Sequence, residues 1–140
     1  MKQRHFIYPV NPNSKWVLHP EPFTYERFEE IVANGETSIF QLQTGFRQIK
    51  HSDYIWVYYT APHSALKAVG RVSEKPYIHD AWTEENAGND QWAVEITWDE
   101  KLSKKLLGTP ISLDGTQNVK VAAVSANAST EKRIDKWLNG

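Results

Sequence analysis

From Tyr54 to Thr60 every residue suits a β-strand, with Ile55, Val57 and Tyr59 on one face and Tyr54, Trp56, Tyr58 and Thr60 on the other. A strand apolar on both faces predicts cover on both. Residues 91–98 give the cleanest alternation in the chain, Trp92, Val94, Ile96 and Trp98 against Gln91, Ala93, Glu95 and Thr97, which places one side in a core. Residues 5–10 alternate more weakly and predict a first strand. Leu66 to Ser73 predicts another, in which Gly70 marks a bend or the close approach of a second backbone. Val119 to Val124 predicts one more.

Helical spacing is scarcer. Thr24 is a candidate N-cap after Pro22, and Phe28, Ile31 and Val32 fall three and four apart before Asn34-Gly35 ends the segment. Leu102 to Leu107 predicts a short turn or helix, and Asp114-Gly115 a turn. Ile134, Trp137 and Leu138 define a terminal helix entered near Ser129 or Thr130. Ser38 to Lys50 mixes Phe40, Leu42, Phe46 and Ile49 with polar residues and reads as irregular or partly extended. The loop from Pro9 to Pro22 holds four of the seven prolines, and loops of that length are often functional. Five or six short strands with two or three small flanking helices predict an α+β fold, a small mixed β-barrel rather than a βαβ layer.

Composition narrows the possibilities. The 140 residues fit one domain spanning 1–140, and no repeat or linker divides them. Leu, Ile, Val and Phe supply 32 positions against a net charge of -1, which excludes disorder by composition. There is no cysteine, so disulfides and thiolate chemistry are excluded. The basic start, Met1 to His5, leads into an apolar run broken at Pro9, too short for a signal peptide, and no window reaches the length of a membrane span. These features predict a soluble, cytoplasmic protein with no membrane partner. A near-neutral charge argues against coating of nucleic acid by a basic surface but leaves room for a local basic groove.

Candidate chemistry is thin except for the rings. Five histidines stand at 5, 19, 51, 63 and 79. The pairs His51/Asp53 and His79/Asp80 come nearest to a ligand set, and two ligands do not close a zinc site, so neither metal nor cofactor is expected. No Ser or Thr sits in a Gly-flanked elbow and no phosphate loop is present. Aromatic residues are 12% of the chain. Trp92, Trp98 and Trp137 lie on apolar faces and are expected in the core. Trp16 and Trp82 lie in polar loops, and Trp56 shares a strand face with Tyr58. A large ring in a polar loop needs cover, either from elsewhere in the protein or from a flat ligand. A nucleobase fits that description, since stacking on a ring is worth roughly 1–3 kcal/mol per base. Asn11, Asn13, Ser14, Gln41 and Gln43 are placed to read a base edge.

Phe6 to Trp16 with Asn11-Pro12, Ile49 to Tyr58 with Ser52-Asp53, Ala68-Val69-Gly70-Arg71-Val72 and Lys75-Pro76-Tyr77 resemble, in order and spacing, the EVE domain of the PUA-like superfamily. Trp92 to Trp98, then Leu102 and Pro110-Ile111, resemble the later strand of that family and its continuation, so the likeness spans roughly residues 5–125. Ser52 stands where the family has Gly before Asp53. The Trp expected before Ile49 is absent, and Phe40 or Phe46 occupies that neighbourhood.

The resemblance implies a PUA-like pseudo-barrel, similar to YTH and PUA domains, that reads a modified cytosine or adenine in DNA or RNA after the base swings out of its stack. On that reading Trp16, Phe40, Trp56 and Trp82 are candidate walls, and Asn11, Ser14 and Gln41 candidate edge readers. Arg47, Lys50, Lys67, Arg71 and Lys75 are candidate phosphate contacts. Downstream action would then need a separate effector protein. One rival reading is a small ASCH-like amidohydrolase acting on modified pyrimidine nucleosides, for which Thr60, Lys67 and Glu74 are the nearest candidates. Another is a protein interaction module using the exposed rings.

Overall fold

The computed structural model describes residues 4–10, 25–34, 37–42, 49–59, 65–78, 92–113 and 124–140. Seven strands, β1 (His5–Val10), β2 (Thr37–Leu42), β3 (Tyr54–Tyr59), β4 (Ala65–Val72), β5 (Tyr77–Ile78), β6 (Trp92–Trp98) and β7 (Val124–Ser125), form one mixed sheet. Its order is β2-β6-β4-β3-β1-β7, with β5 pairing β6 beyond the end of β4. Only β1 and β3 run parallel; the other pairs are antiparallel. Helices α1 (Tyr25–Ala33), α2 (Glu100–Gly108) and α3 (Ala128–Asn139) complete the described elements.

The sheet is rolled. Tyr8 of β1 and Phe40 of β2 touch, with ring centroids 4.5 Å apart, although β6, β4 and β3 lie between their strands in the hydrogen-bonding order. In a flat sheet those strands would stand about 19 Å apart, four spacings of about 4.8 Å. The interior holds Phe6, Tyr8, Phe40, Ile55, Val57, Tyr59, Ala68, Val94, Ile96 and Trp98, with Ile31 of α1 and Ile49 against them. A second cluster covers the outer face: Ile7, Trp56, Leu66 and Val69 meet Leu106 of α2 and Ile134 and Trp137 of α3. The two-sided apolar pattern of β3 is explained by these two layers, and the α+β, barrel-like architecture agrees with the sequence reading.

Two local features make the roll possible. A Cβ at Gly70 would collide with Ile96 Cγ2 and stand 2.8 Å from the Thr97 carbonyl oxygen, so only glycine lets β4 and β6 cross this closely. Between Val57 and Tyr58 the β3–β4 register shifts by one, Val57 pairing with Ala68 and Tyr58 with Leu66, which makes Lys67 the extra residue of a β-bulge.

The structure differs from the sequence reading at three places. Thr37–Leu42 is a regular strand with six register pairs to β6, not an irregular stretch. Its inward position 38 is a serine, whose Oγ accepts from Trp98 Nε1 at 2.9 Å inside the core, and this polar residue broke the apolar alternation. Helix α2 is longer than expected because Asp99 caps it, Oδ1 accepting from Leu102 N at 2.8 Å. Helix α3 starts earlier, behind Asn127, whose Oδ1 accepts from Thr130 N at 2.9 Å. Of the strand expected at 119–124, Val124 lies in β7 and the remainder falls outside the described residues.

Candidate nucleic-acid interface

The expected walls divide. Phe40 is fully buried inside the roll, between Tyr8 and Trp98, whose ring centroid lies 5.7 Å away. Trp56 is fully buried on the opposite face, edge-on to Trp137 at 5.8 Å. The two rings sit on different sides of one sheet and do not face each other across a slot. Asn11, Ser14, Trp16 and Trp82 lie outside the described residues, as does the side chain of Gln41, whose backbone pairs with Ala93.

The registers fix where the segments carrying those residues leave the sheet. Val10, Tyr59 and Ala65 stand side by side, so the chain carrying Asn11 to Trp16 departs from the end where β3 passes into β4. Leu42, Ile78 and Trp92 also stand side by side, past the far end of β4. The segment carrying Trp82 begins and ends there.

The described cations gather in part. At the start of β3, Asp53 is buried and turned inward; Oδ1 accepts from Arg4 N at 3.1 Å and Oδ2 from Lys50 N at 2.9 Å. Ser52 beside it has φ 71°, the left-handed region that favours glycine. Its carbonyl accepts from Arg71 Nε at 2.8 Å. The Arg71 guanidinium lies 4.2 Å from the Tyr54 ring centroid, and the other face of that phenol stacks on His5 at 4.9 Å and 12°. Thus the backbones of Arg4 and Lys50 and the guanidinium of Arg71 meet at one turn, with Lys50 exposed and Arg71 half-buried, while the Arg4 guanidinium lies 5.2 Å from the Phe6 ring centroid. Lys75 is exposed three residues past the end of β4, and Lys67 is half-buried at the bulge. Lys67 and Arg71, four residues apart on one strand, are separated by roughly 13 Å. Arg47 lies outside the described residues.

Sequence reasoning missed Arg4 and His5. His5 is buried, and its Nδ1 accepts from Trp56 Nε1 at 3.0 Å, so that nitrogen carries no proton here. No spacing rule links positions 5 and 56. Burial pushes the Tyr8 hydroxyl well above its ordinary range, and Tyr77 is raised by burial first and by Glu95 and Glu74 after it. The His51/Asp53 pair does not open toward a metal, because both Asp53 oxygens are taken by backbone N–H groups. His79 and Asp80 lie outside the described residues, and among those described no three His, Asp or Glu side chains converge as ligands.

Neither a family model nor a curated protein matches the sequence. Solved structures match the fold. Human THYN1, in complex with 5-methylcytosine-containing DNA, superposes with a TM-score of 0.61 at 10% identity over 94% of this chain and 95% of that one. Rpa0253 of Rhodopseudomonas palustris gives 0.57 at 13% identity over 96% and 92%. The ASCH protein of Zymomonas mobilis gives 0.52 at 9% identity over 96% of both chains. The fold is PUA-like, the barrel-like α+β fold that these structures share. The PUA-like likeness runs along almost the whole chain, through the rolled sheet and its flanking helices.

Proposed function

We propose that this PUA-like chain binds nucleic acid and reads a modified base without turning it over. The carrying observation is the fold shared with human THYN1, a protein captured on 5-methylcytosine DNA, over 94% of this chain. The aromatic excess agrees, because an enclosing pocket that inspects a methyl group gains from ring faces. A stacked base shows only its edges, so the base must swing out first, at a cost of roughly a few kcal/mol. On this reading Trp16, Phe40, Trp56 and Trp82 are the candidate ring walls, with Asn11, Ser14 and Gln41 at the edge of the base. Full burial of Phe40 and Trp56 restricts them to lining the pocket from within or supporting its wall. Lys50 and Arg71 at the Ser52 turn are candidate phosphate contacts, and Arg47, Lys67 and Lys75 are the further candidates.

The test is tryptophan quenching by matched single-stranded oligonucleotides, plain or bearing 5-methylcytosine or N6-methyladenine, at stated salt. Tighter binding of one modified strand than of its plain counterpart supports the reading; equal affinities across the panel overturn it. Trp16→Ala should weaken that preference and leave the unfolding midpoint near the parent's, whereas Trp98→Ala, which empties a core site and frees Ser38, should lower stability first. The likeness to an ASCH protein carries the second reading, an amidohydrolase using Thr60, Lys67 and Glu74. Release of free cytidine from an acylated cytidine would establish it. Stoichiometric binding without turnover would exclude it.

A further inference from the structure

Apart from the candidate phosphate contacts named above, an open cleft of about 810 Å³ lies between the C-terminal ends of α2 and α3, and its lining includes Lys105, Arg133 and Lys136. No Asp or Glu stands among its described lining residues. The cleft is built rather than incidental. Lys105 Nζ donates to the Trp137 carbonyl at 2.7 Å and sits 4.3 Å from the centroid of that indole, while Trp137 Nε1 donates to the Thr109 carbonyl at 2.7 Å. Arg133 Nη1 donates to the Ser112 carbonyl at 2.8 Å. A carbonyl anchor orients a cation without cancelling its charge.

Two helix C-termini point at the same place, each equivalent to roughly -0.5 of a charge. They offset about one of the three cations, and even a carboxylate on Gly140 would leave the lining positive. The cleft also adjoins the end of the sheet where β3 passes into β4. Ile111, in its wall, pairs with Leu66 at the start of β4, Leu66 N donating to Ile111 O at 2.8 Å. That is the end from which the segment carrying Asn11 to Trp16 departs.

We propose that this cleft receives a backbone phosphate of the bound single strand, with Arg133 and Lys136 contacting the phosphate oxygens and Lys105 holding the indole floor. The inference rests on the nucleic-acid reading above. It adds the α2–α3 side of the sheet to the strand's contacts, at the opposite end of β3 and β4 from the Ser52 turn. A phosphate contact carries no base information, so it must act alike on every sequence.

The test uses Arg133→Gln combined with Lys136→Gln, keeping Lys105, and measures affinity for plain and modified single strands across a salt series. Losing this one phosphate contact should flatten the slope of log K against log salt by about 0.7, the value for one single-strand phosphate. Both strands should weaken by the same factor, leaving the preference for the modified base intact. An unchanged slope with the preference retained overturns the cleft and leaves the base reading standing. Loss of preference for the modified strand alone overturns it too, because it would place these cations at the base. No binding by the parent protein overturns both proposals. Should the double variant fail to fold, Lys136→Gln at an exposed position must by itself flatten the slope, by up to about 0.7, and weaken plain and modified strands by the same factor. A slope that stays put there also sinks the inference.

Discussion

Replacing Asp53 with alanine should cost about 2–4 kcal/mol of stability, which is large for one side chain. The carboxylate ties the start of β1 to the turn before β3: it accepts from Arg4 N and Lys50 N, while the Asp53 backbone donates to Lys50 O and accepts from Val72 N. Hydrogen bonds to a charged acceptor contribute roughly 1.5–3 kcal/mol each, and removing the acceptor strands two N–H donors. Arg4 and Lys50 are themselves exposed, so water recovers part of that loss, which brings the sum below the upper bound. With a urea m-value of about 2 kcal/mol/M, the midpoint should fall by about 1–2 M at unchanged slope. Equilibrium unfolding followed by tryptophan fluorescence reads it directly. A shift under about 0.3 M on the same m-value scale would show that the turn closes without its carboxylate, and the reasoning would fail.

Three further outcomes follow from the same geometry. Ser52→Gly should stabilise the chain by about 0.5 kcal/mol, because relief of a left-handed residue, worth about 1–2 kcal/mol, outweighs the added freedom of the unfolded chain; a lower melting temperature would contradict it. Trp56→Phe should lose about 1–3 kcal/mol by leaving His5 Nδ1 buried without its donor, and a double-mutant cycle with His5→Phe should recover coupling between the two positions. Burial raises the Tyr8 pKa above the ordinary phenol value of about 10, so above that pH the unfolded chain ionises while the folded one does not, and stability falls as pH rises. Tyr8→Phe should flatten that alkaline limb in pH-dependent unfolding.

Strand positions were legible wherever both faces of a residue pair were apolar. Ile55 and Val57 against Trp56, or Val94 and Ile96 against β2 and β4, declare themselves by period alone. The reading failed where a polar side chain had a buried partner far along the chain. Ser38 interrupts an apolar pattern because its partner, Trp98, is 60 positions away. The site suffered more from the same cause. Trp56 is a candidate wall because it shares a strand face with Tyr58, and no sign in the sequence shows that its indole N–H donates to His5, 51 positions earlier. Arg4 was invisible because its contribution to the Asp53 turn is a backbone N–H, which any residue but proline supplies. Of the two local departures read in the sequence, Ser52 where the resemblance leads one to expect glycine has its physical counterpart in the φ of 71° there.

The bulge on β4 separates what Lys67 must be from where it must stand. Across it, Leu66 keeps to the helix-covered side and Ala68 to the interior, so excising position 67 would leave each neighbour facing the layer it already occupies. The residue is supernumerary to the ladder, and its side chain is therefore under no obligation to either core. What the extra link supplies is torsion, since an insertion of this kind sharpens the handed twist of the strand that carries it. A wall bent until its first and fifth members touch needs such a crease, and selection can change the amine at its apex without disturbing the crease itself.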